Sequence, residues 1–321
     1  MATLGTARLF GAATIMLLSS AVLPATAHGA PAVDAAEKFS IVVIPDTQYA
    51  AERYPAAFNA QGQWIKDNRV ARNIRYVVHE GDIVDDSDQT GQWANANSAL
   101  GRLDGNTPYI LGVGNHDMDA MPKGQDPAVV RDAAAFNANF PVTRFSGLPS
   151  FGASYPAGKN DNSYHTFTAG GTSWLILALK YAPTDAEIAW GSTVIAAHPR
   201  HQVMVVTHAY QSGTTKDSVG KKLWTQLVSK HANVSFVFSG HYTAQGLITE
   251  KGMNGNTVYQ VQADYQNILQ LAPNSYFRVM NFDPAARTVA VTTYSPYLNK
   301  YLTDAKNQFT LTNVAFLPAV A

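Results

Sequence analysis

Four short segments carry the residues that could do chemistry: Pro45-Asp46-Thr47-Gln48, Gly81-Asp82-Ile83-Val84-Asp85, Gly114-Asn115-His116-Asp117 and Gly240-His241. Each follows an apolar run, and His208 stands between the last two. Together they offer carboxylates, amide oxygens and imidazoles, the ligand types for a pair of divalent metal ions held at strand ends. A two-ion site of this composition points to hydrolysis of a phosphate ester. A metal lowers the pKa of bound water to about 7, and a shared carboxylate holds two ions ~3.5–4 Å apart, close enough to clamp one phosphate. Mixed oxygen and imidazole donors suit Mn, Fe, Zn or Co better than Ca or Mg.

Such donors need rigid supports, and the chain supplies them in alternation. β-branched or apolar runs over 40–44, 76–79 and 109–113 predict three buried strands, with helices expected over 56–71 and 90–103. A βαβαβ start implies a mostly parallel sheet with ligands at the carboxyl ends of its strands. Phe58, Trp64, Ile65 and Val70 are the expected inward residues of the first helix. The span 118–164 reads as one helix over 129–139, followed by a region rich in Pro, Gly, Phe and Tyr. Its aromatic residues (Phe136, Phe140, Phe145, Phe151, Tyr155) read as loop packing, and Tyr164 and His165 are candidates for a substrate mouth. Strands follow over 174–179 and 203–206, bracketing a helix over 185–197. A helix over 218–231 then leads to a strand over 234–238. Beyond Gly246 come short alternating strands over 257–262, 276–282 and 288–294, the last two joined by a turn at Asp283-Pro284. His231, at a predicted helix C-terminus, suits the helix dipole as a partly charged imidazole. His79, His198 and His201 match no ligand position.

Composition excludes several alternatives. Of 321 residues, 46% are hydrophobic, enough to bury a sizeable core. Lys plus Arg and Asp plus Glu are balanced at 23 each, which leaves no basic stripe for docking nucleic acid. The absence of cysteine removes disulfides, Cys-ligated zinc and a thiol nucleophile. No Gly-x-Ser-x-Gly elbow is present, and the glycine spacing over 213–222 is wrong for a P-loop. Arg8, an apolar stretch over 9–23 and Ala25-Thr26-Ala27 form a leader pattern. The expectation is a signal peptide over 1–27, a linker over 28–38, a single domain over 39–321 and a secreted or periplasmic product free of the membrane after cleavage. Nothing in the sequence specifies an oligomeric state.

Asp46, Gly-Asp-x-x-Asp at 81–85, Gly-Asn-His-Asp at 114–117, His208 and Gly-His at 240–241 resemble the calcineurin-like metallophosphoesterases in order and spacing, over approximately residues 40–294. The resemblance implies an α/β fold, a central two-sheet β-sandwich flanked by helices in four α/β/β/α layers. It further implies that Asp82 bridges two ions, that Asp46 binds the first, and that Asn115, His208 and His241 complete the second. His116 would stand beside the phosphate and protonate the leaving oxygen, with Asp117 orienting its ring, while Asp85 reads as a support for the loop. Metal-bound hydroxide would attack phosphorus directly, with inversion and no phosphoenzyme. Two departures stand out. Gln48 replaces the imidazole of the usual Asp-x-His, and Thr243 replaces the second imidazole of Gly-His-x-His. Gln48 still offers an amide oxygen, so the first site is expected to be harder and weaker, favouring Mn or Fe(II). The rival expectation is a non-catalytic protein that keeps the fold and one metal.

Overall fold

The structure, a computed structural model, describes residues 1–3, 5, 37–266 and 275–320. Nearly all of the expected leader, its cleavage near Ala27 and nearly all of the 28–38 linker lie outside the described residues.

The chain begins with β1 (Phe39–Ile44), α1 (Gln48–Arg53), α2 (Pro55–Asn68), β2 (Ile74–His79), α3 (Thr90–Leu100) and β3 (Tyr109–Leu111). After α4 (Ala134–Asn139) come β4 (Phe151–Tyr155), β5 (Asn162–Ala169) and β6 (Thr172–Leu179). Next are α5 (Asp185–Ala197), β7 (Gln202–Thr207), the short ribbon β8 (Gln211–Ser212) and β9 (Thr215–Lys216), α6 (Ser218–Gln226) and β10 (Val234–Ser239). Among the described residues the remaining elements are strands: β11 (Gln245–Lys251), β12 (Thr257–Ala263), β13 (Phe277–Asp283), β14 (Thr288–Ser295), β15 (Lys300–Leu302) and β16 (Phe309–Leu311).

These strands form two large mixed sheets. The first has the order β15-β14-β13-β1-β2-β3, with β16 also on β14; the second has the order β11-β12-β10-β7-β6-β5-β4. At one end of the first, β1, β2 and the edge strand β3 run parallel. At the centre of the second, β6, β7, β10 and β12 do the same. The strands read as continuous apolar runs because both faces of each sheet are covered. Along β1, Ile41 and Val43 point between the sheets, against Trp174, Met204 and Phe236. Val42 and Ile44 point the other way, onto Phe58 and Ile65 of α2 and Trp93 of α3. The second sheet repeats the plan: Trp174 and Ile176 face the inter-sheet core, while Leu175 and Leu177 meet Ile188 and Ile195 of α5 and Leu223 of α6. The result is the expected α/β/β/α sandwich, within a compact unit spanning Val33–Ala321.

Several local expectations are corrected. The helix expected over 129–139 contains only α4. The Asp126 carboxylate accepts the Ala128 N–H and the Asp132 carboxylate accepts the Ala134 N–H, so these side chains satisfy backbone groups that a longer helix would use. Val70 lies beyond α2 and is 85% exposed. His165 does not line a mouth. It is buried between Tyr76, Phe145 and Phe151, and burial pushes its imidazole down to about 3. Burial and then the neighbouring Lys230 charge likewise lower His231, opposite to the expected dipole effect. Phe136, Phe140 and Phe145 are core residues, as expected of loop packing.

Candidate metal centre

All the motif segments lie at the carboxyl ends of the parallel strands. Asp46 follows β1, Asp82 follows β2, Asn115 and His116 follow β3, His208 follows β7 and His241 follows β10. Because three of these strands belong to one sheet and two to the other, the site straddles the open end of the sandwich. One ligand atom from each of Asp82, His208 and His241 lies within 4.8 Å of the others. His208 Nε2 is the hub, 3.1 Å from Asp82 Oδ2, 3.1 Å from Asn115 Oδ1 and 3.2 Å from His241 Nδ1.

The backbone is bent to make this approach. Asp82 and His241 have φ of +48° and +69°, and Gly81 has +102°, left-handed values that cost strain in the two non-glycine residues. The motif glycines are dictated by space. A Cβ on Gly114 would sit 2.0 Å from Asp82 Oδ1, and one on Gly240 would sit 1.9 Å from Asp46 Oδ1. The glycines therefore let carboxylates rest directly on neighbouring main chain.

The donor set fits a divalent cation. His208 Nδ1 lies 3.1 Å from the Glu80 carbonyl, so the proton on Nδ1 is held by that oxygen and Nε2 presents its lone pair. That lone pair faces a carboxylate, an amide oxygen and a second imidazole, four acceptors that only a proton or a metal can reconcile. Burial alone would lower the His208 pKa, but the Asp82 carboxylate, with Asp117 and the Glu80 carbonyl, holds the imidazole above its ordinary value. Burial and then His208 push His241 down to about 4, keeping it a neutral donor. Burial raises the Asp46 carboxyl well above the carboxylate range, reinforced by Asp264, Asp82 and Glu80. Gln48 Oε1 and Glu80 Oε2 are buried without a hydrogen-bond partner, oxygen donors that a cation would satisfy.

Gln48 and Asp46 are placed differently from the second group. Asp46 accepts the His241 N–H, at 3.3 and 3.1 Å for its two oxygens. Gln48, at the start of α1, donates its Nε2 to Asp85 Oδ1 at 2.8 Å. His116 Nδ1 donates in turn to the Asp85 carbonyl at 2.7 Å, with Asp85 Oδ1 a further 3.4 Å contact, so Nε2 points away from these partners. The orienting contact expected of Asp117 is therefore made by Asp85. Asp117 is occupied elsewhere: its carboxylate accepts the N–H groups of Ile83 (2.8 Å), Val84 (3.2 Å) and Gly114 (2.8 Å), tying the loop after β2 to the turn after β3. Burial, and then Asp82, push it up to about 7. His116 is linked to the cluster through its main chain, whose N–H donates to Asp82 Oδ1 at 2.9 Å.

Three residues near the site were not singled out from the sequence. The Tyr181 ring stands 5.4 Å from His241 and 6.1 Å from His208, and Tyr242 packs 4.5 Å from His241. Asp264 follows β12 and is fully buried. The signal for Asp264 was available in part: it is an acid just past an expected strand, the placement that marks Asp46, although that strand alternates rather than running apolar.

Comparison with known proteins agrees with this geometry. The family model described as calcineurin-like phosphoesterase matches residues 39–243. The uncharacterized protein YvnB of Bacillus subtilis (strain 168) is 36% identical over 292 residues, which is 86% of this chain but 22% of YvnB. The chain thus spans about a fifth of the length of that relative. Among solved structures, the purple acid phosphatase PPD1 from yellow lupin (Lupinus luteus) seeds aligns with a TM-score of 0.56, covering 86% of this chain and 54% of that one. At 14% identity this likeness concerns the fold alone. With its four-layer sandwich, its strand-end donors and the family match over most of the sandwich, the chain belongs to the calcineurin-like phosphoesterases.

Proposed function

We propose that this chain is a metal-dependent phosphoesterase that hydrolyses phosphate mono- or diesters at a dinuclear site. The observation that carries the reading is the meeting of Asp82, His208 and His241 from opposite sheets within 4.8 Å, with His116 held beside them. Two divalent ions, when bound, supply a nucleophile at neutral pH and positive charge for the phosphate oxygens. Asp82, Asn115, His208 and His241 would hold one ion, and Asp82, Asp46 and the Gln48 amide oxygen would contribute to the other. His116 positions its Nε2 to give a proton to the departing alcohol, its ring fixed by Asp85 through Nδ1. The leader pattern at 8–27 supports export of the mature chain.

The test is hydrolysis of aryl phosphate mono- and diesters by chain stripped of metal and reloaded with Mn, Fe(II), Zn or Co. His116→Ala is expected to lower kcat by ~10²–10⁴-fold with bound metal unchanged. Asp82→Asn is expected to lose turnover and metal together. An unimpaired His116→Ala enzyme would remove the acid role. The rival reading, a non-catalytic metal-binding protein, is favoured by Gln48 and Thr243 standing where imidazoles are usual. Stoichiometric metal binding without turnover on either ester would support it.

A further inference from the structure

Thr243 leaves the first ion one donor short, and the fold brings another acid to that place. β12 runs parallel to β10 with Ser239 beside Gln262. The chain therefore leaves both strands in step: His241 is two residues past Ser239, and Asp264 is two residues past Gln262. Asp264 is fully buried at the same end of the sandwich as Asp46, Asp82 and His208. One of its oxygens, Oδ1, accepts the Gln266 N–H at 2.8 Å. The other, Oδ2, accepts the Thr243 hydroxyl at a long 3.4 Å, and the Gln266 side chain also bonds to the carboxylate. Its main chain is fixed, the N–H bonded to the Ala244 carbonyl at 2.9 Å and the carbonyl to Gln245 Nε2 at 2.8 Å.

Asp46 approaches the same turn from the other side, resting on Gly240 and on the His241 N–H. Two buried oxygens on the adjoining strand ends, Gln48 Oε1 and Glu80 Oε2, have no hydrogen-bond partner. Arg278 is buried as well, its Nη1 and Nη2 donating to the carbonyls of Gln262 and Lys306 while its Nε has no partner. Carboxylates buried at one turn, with unpaired oxygens on the adjoining strand ends, suit a hard divalent ion.

We propose that Asp264 is a ligand of the first metal ion, its Oδ2 serving where Thr243 leaves no imidazole. The inference rests on the dinuclear reading above. It makes the first site an all-oxygen set of Asp46, Asp82, Asp264 and Gln48, in contrast to the imidazole-bearing second site. It also gives the altered motif a consistent logic: an acid on the adjacent strand compensates for the donor lost at Thr243.

The test counts metal without substrate. The metal-stripped full-length chain is dialysed to equilibrium against Mn(II) and bound metal is measured, with near-ultraviolet circular dichroism checking each fold. The wild type is expected to hold two Mn per chain and Asp264→Asn one, the loss exceeding the ~10–100-fold in affinity typical of a group that only supports a ligand. Thr243→Val, which leaves the carboxylate in place, is expected to keep both. Two Mn at wild-type affinity in Asp264→Asn, or a loss within ~10–100-fold, would overturn the assignment. So would one Mn in the wild type, or loss of an ion in Thr243→Val, which stays informative if Asp264→Asn fails to fold. Two Mn in the wild type and one in Asp264→Asn, without ester hydrolysis, would refute the phosphoesterase reading and leave the ligand standing.

Discussion

The two halves of the proposed metal centre are built differently. In the half formed by Asn115, His208 and His241, donor atoms already converge at 3.1–3.2 Å on His208 Nε2, and the Glu80 carbonyl fixes the tautomer of the central imidazole. In the half formed by Asp46 and Gln48, the donors are buried, but Asp46 rests on the main chain of His241 and Gln48 on Asp85. The imidazole half is preorganised around nitrogen. The oxygen half holds a carboxyl that burial and neighbouring acids raise well above its ordinary range. Ions should therefore bind the imidazole half first and more tightly, because less protein must rearrange to receive them.

The strongest way to separate the halves uses the glycines. Gly114→Ala drives a Cβ to 2.0 Å from Asp82 Oδ1, the carboxylate common to both halves, and Gly240→Ala drives one to 1.9 Å from Asp46 Oδ1. Each overpacking is expected to cost about 1–3 kcal/mol of stability. Metal analysis should find Gly114→Ala deficient in both ions and Gly240→Ala deficient in one. Gly91→Ala, which meets open space, is the control. Equal metal loss in both variants would erase the distinction between the halves.

A smaller effect sharpens the link from the oxygen half to the proton donor. Asp85 joins Gln48 to His116, so Asp85→Ala is expected to lower kcat ~10–100-fold with little change in KM or bound metal. A rate equal to wild type would restrict Asp85 to a structural role.

How far the sequence foretold these halves follows from what is local. Strand-end motifs are local: an acid or amide after a β-branched run, with a glycine where main chain must pass closely, is legible residue by residue. Hence Asp46, Asp82, Asn115, His208 and His241 were all placed at strand ends. Side-chain direction inside a tight turn is not local. Asp117 reads as the partner of its neighbour His116, yet its carboxylate turns back to three N–H groups, two of them from the loop after β2. Asp264 depends on parallel pairing of β10 with β12, a contact set by the whole sheet. The sandwich itself was foretold by the family resemblance, and the parallel strands at its site by the alternation of elements. Where it failed, at Val70 and over 129–133, exposed loops had the apolar or helix-forming residues of an element without a face to bury.

A separate effect, on stability against pH, comes from inside the sandwich and has no part in either half. His165 is neutral when folded, with its pKa lowered from 6.5 to about 3 by burial. The unfolded chain therefore binds the extra proton. This contribution to stability is fully present above about 6.5 and is lost as pH falls from there toward 3. Thermal unfolding measured across that window should show a shallower decline for His165→Gln than for the wild type. Parallel curves would mean that other groups carry the acid sensitivity.

The central claim, that the strand-end donors form a metal-dependent hydrolytic site, is tested most directly by titrating Mn(II) into stripped chain while following aryl phosphate hydrolysis and bound metal in the same sample. The expected result is little turnover as the first equivalent enters the imidazole half and a steep rise with the second. Turnover independent of metal, or no turnover at two equivalents in a folded chain, would contradict the claim.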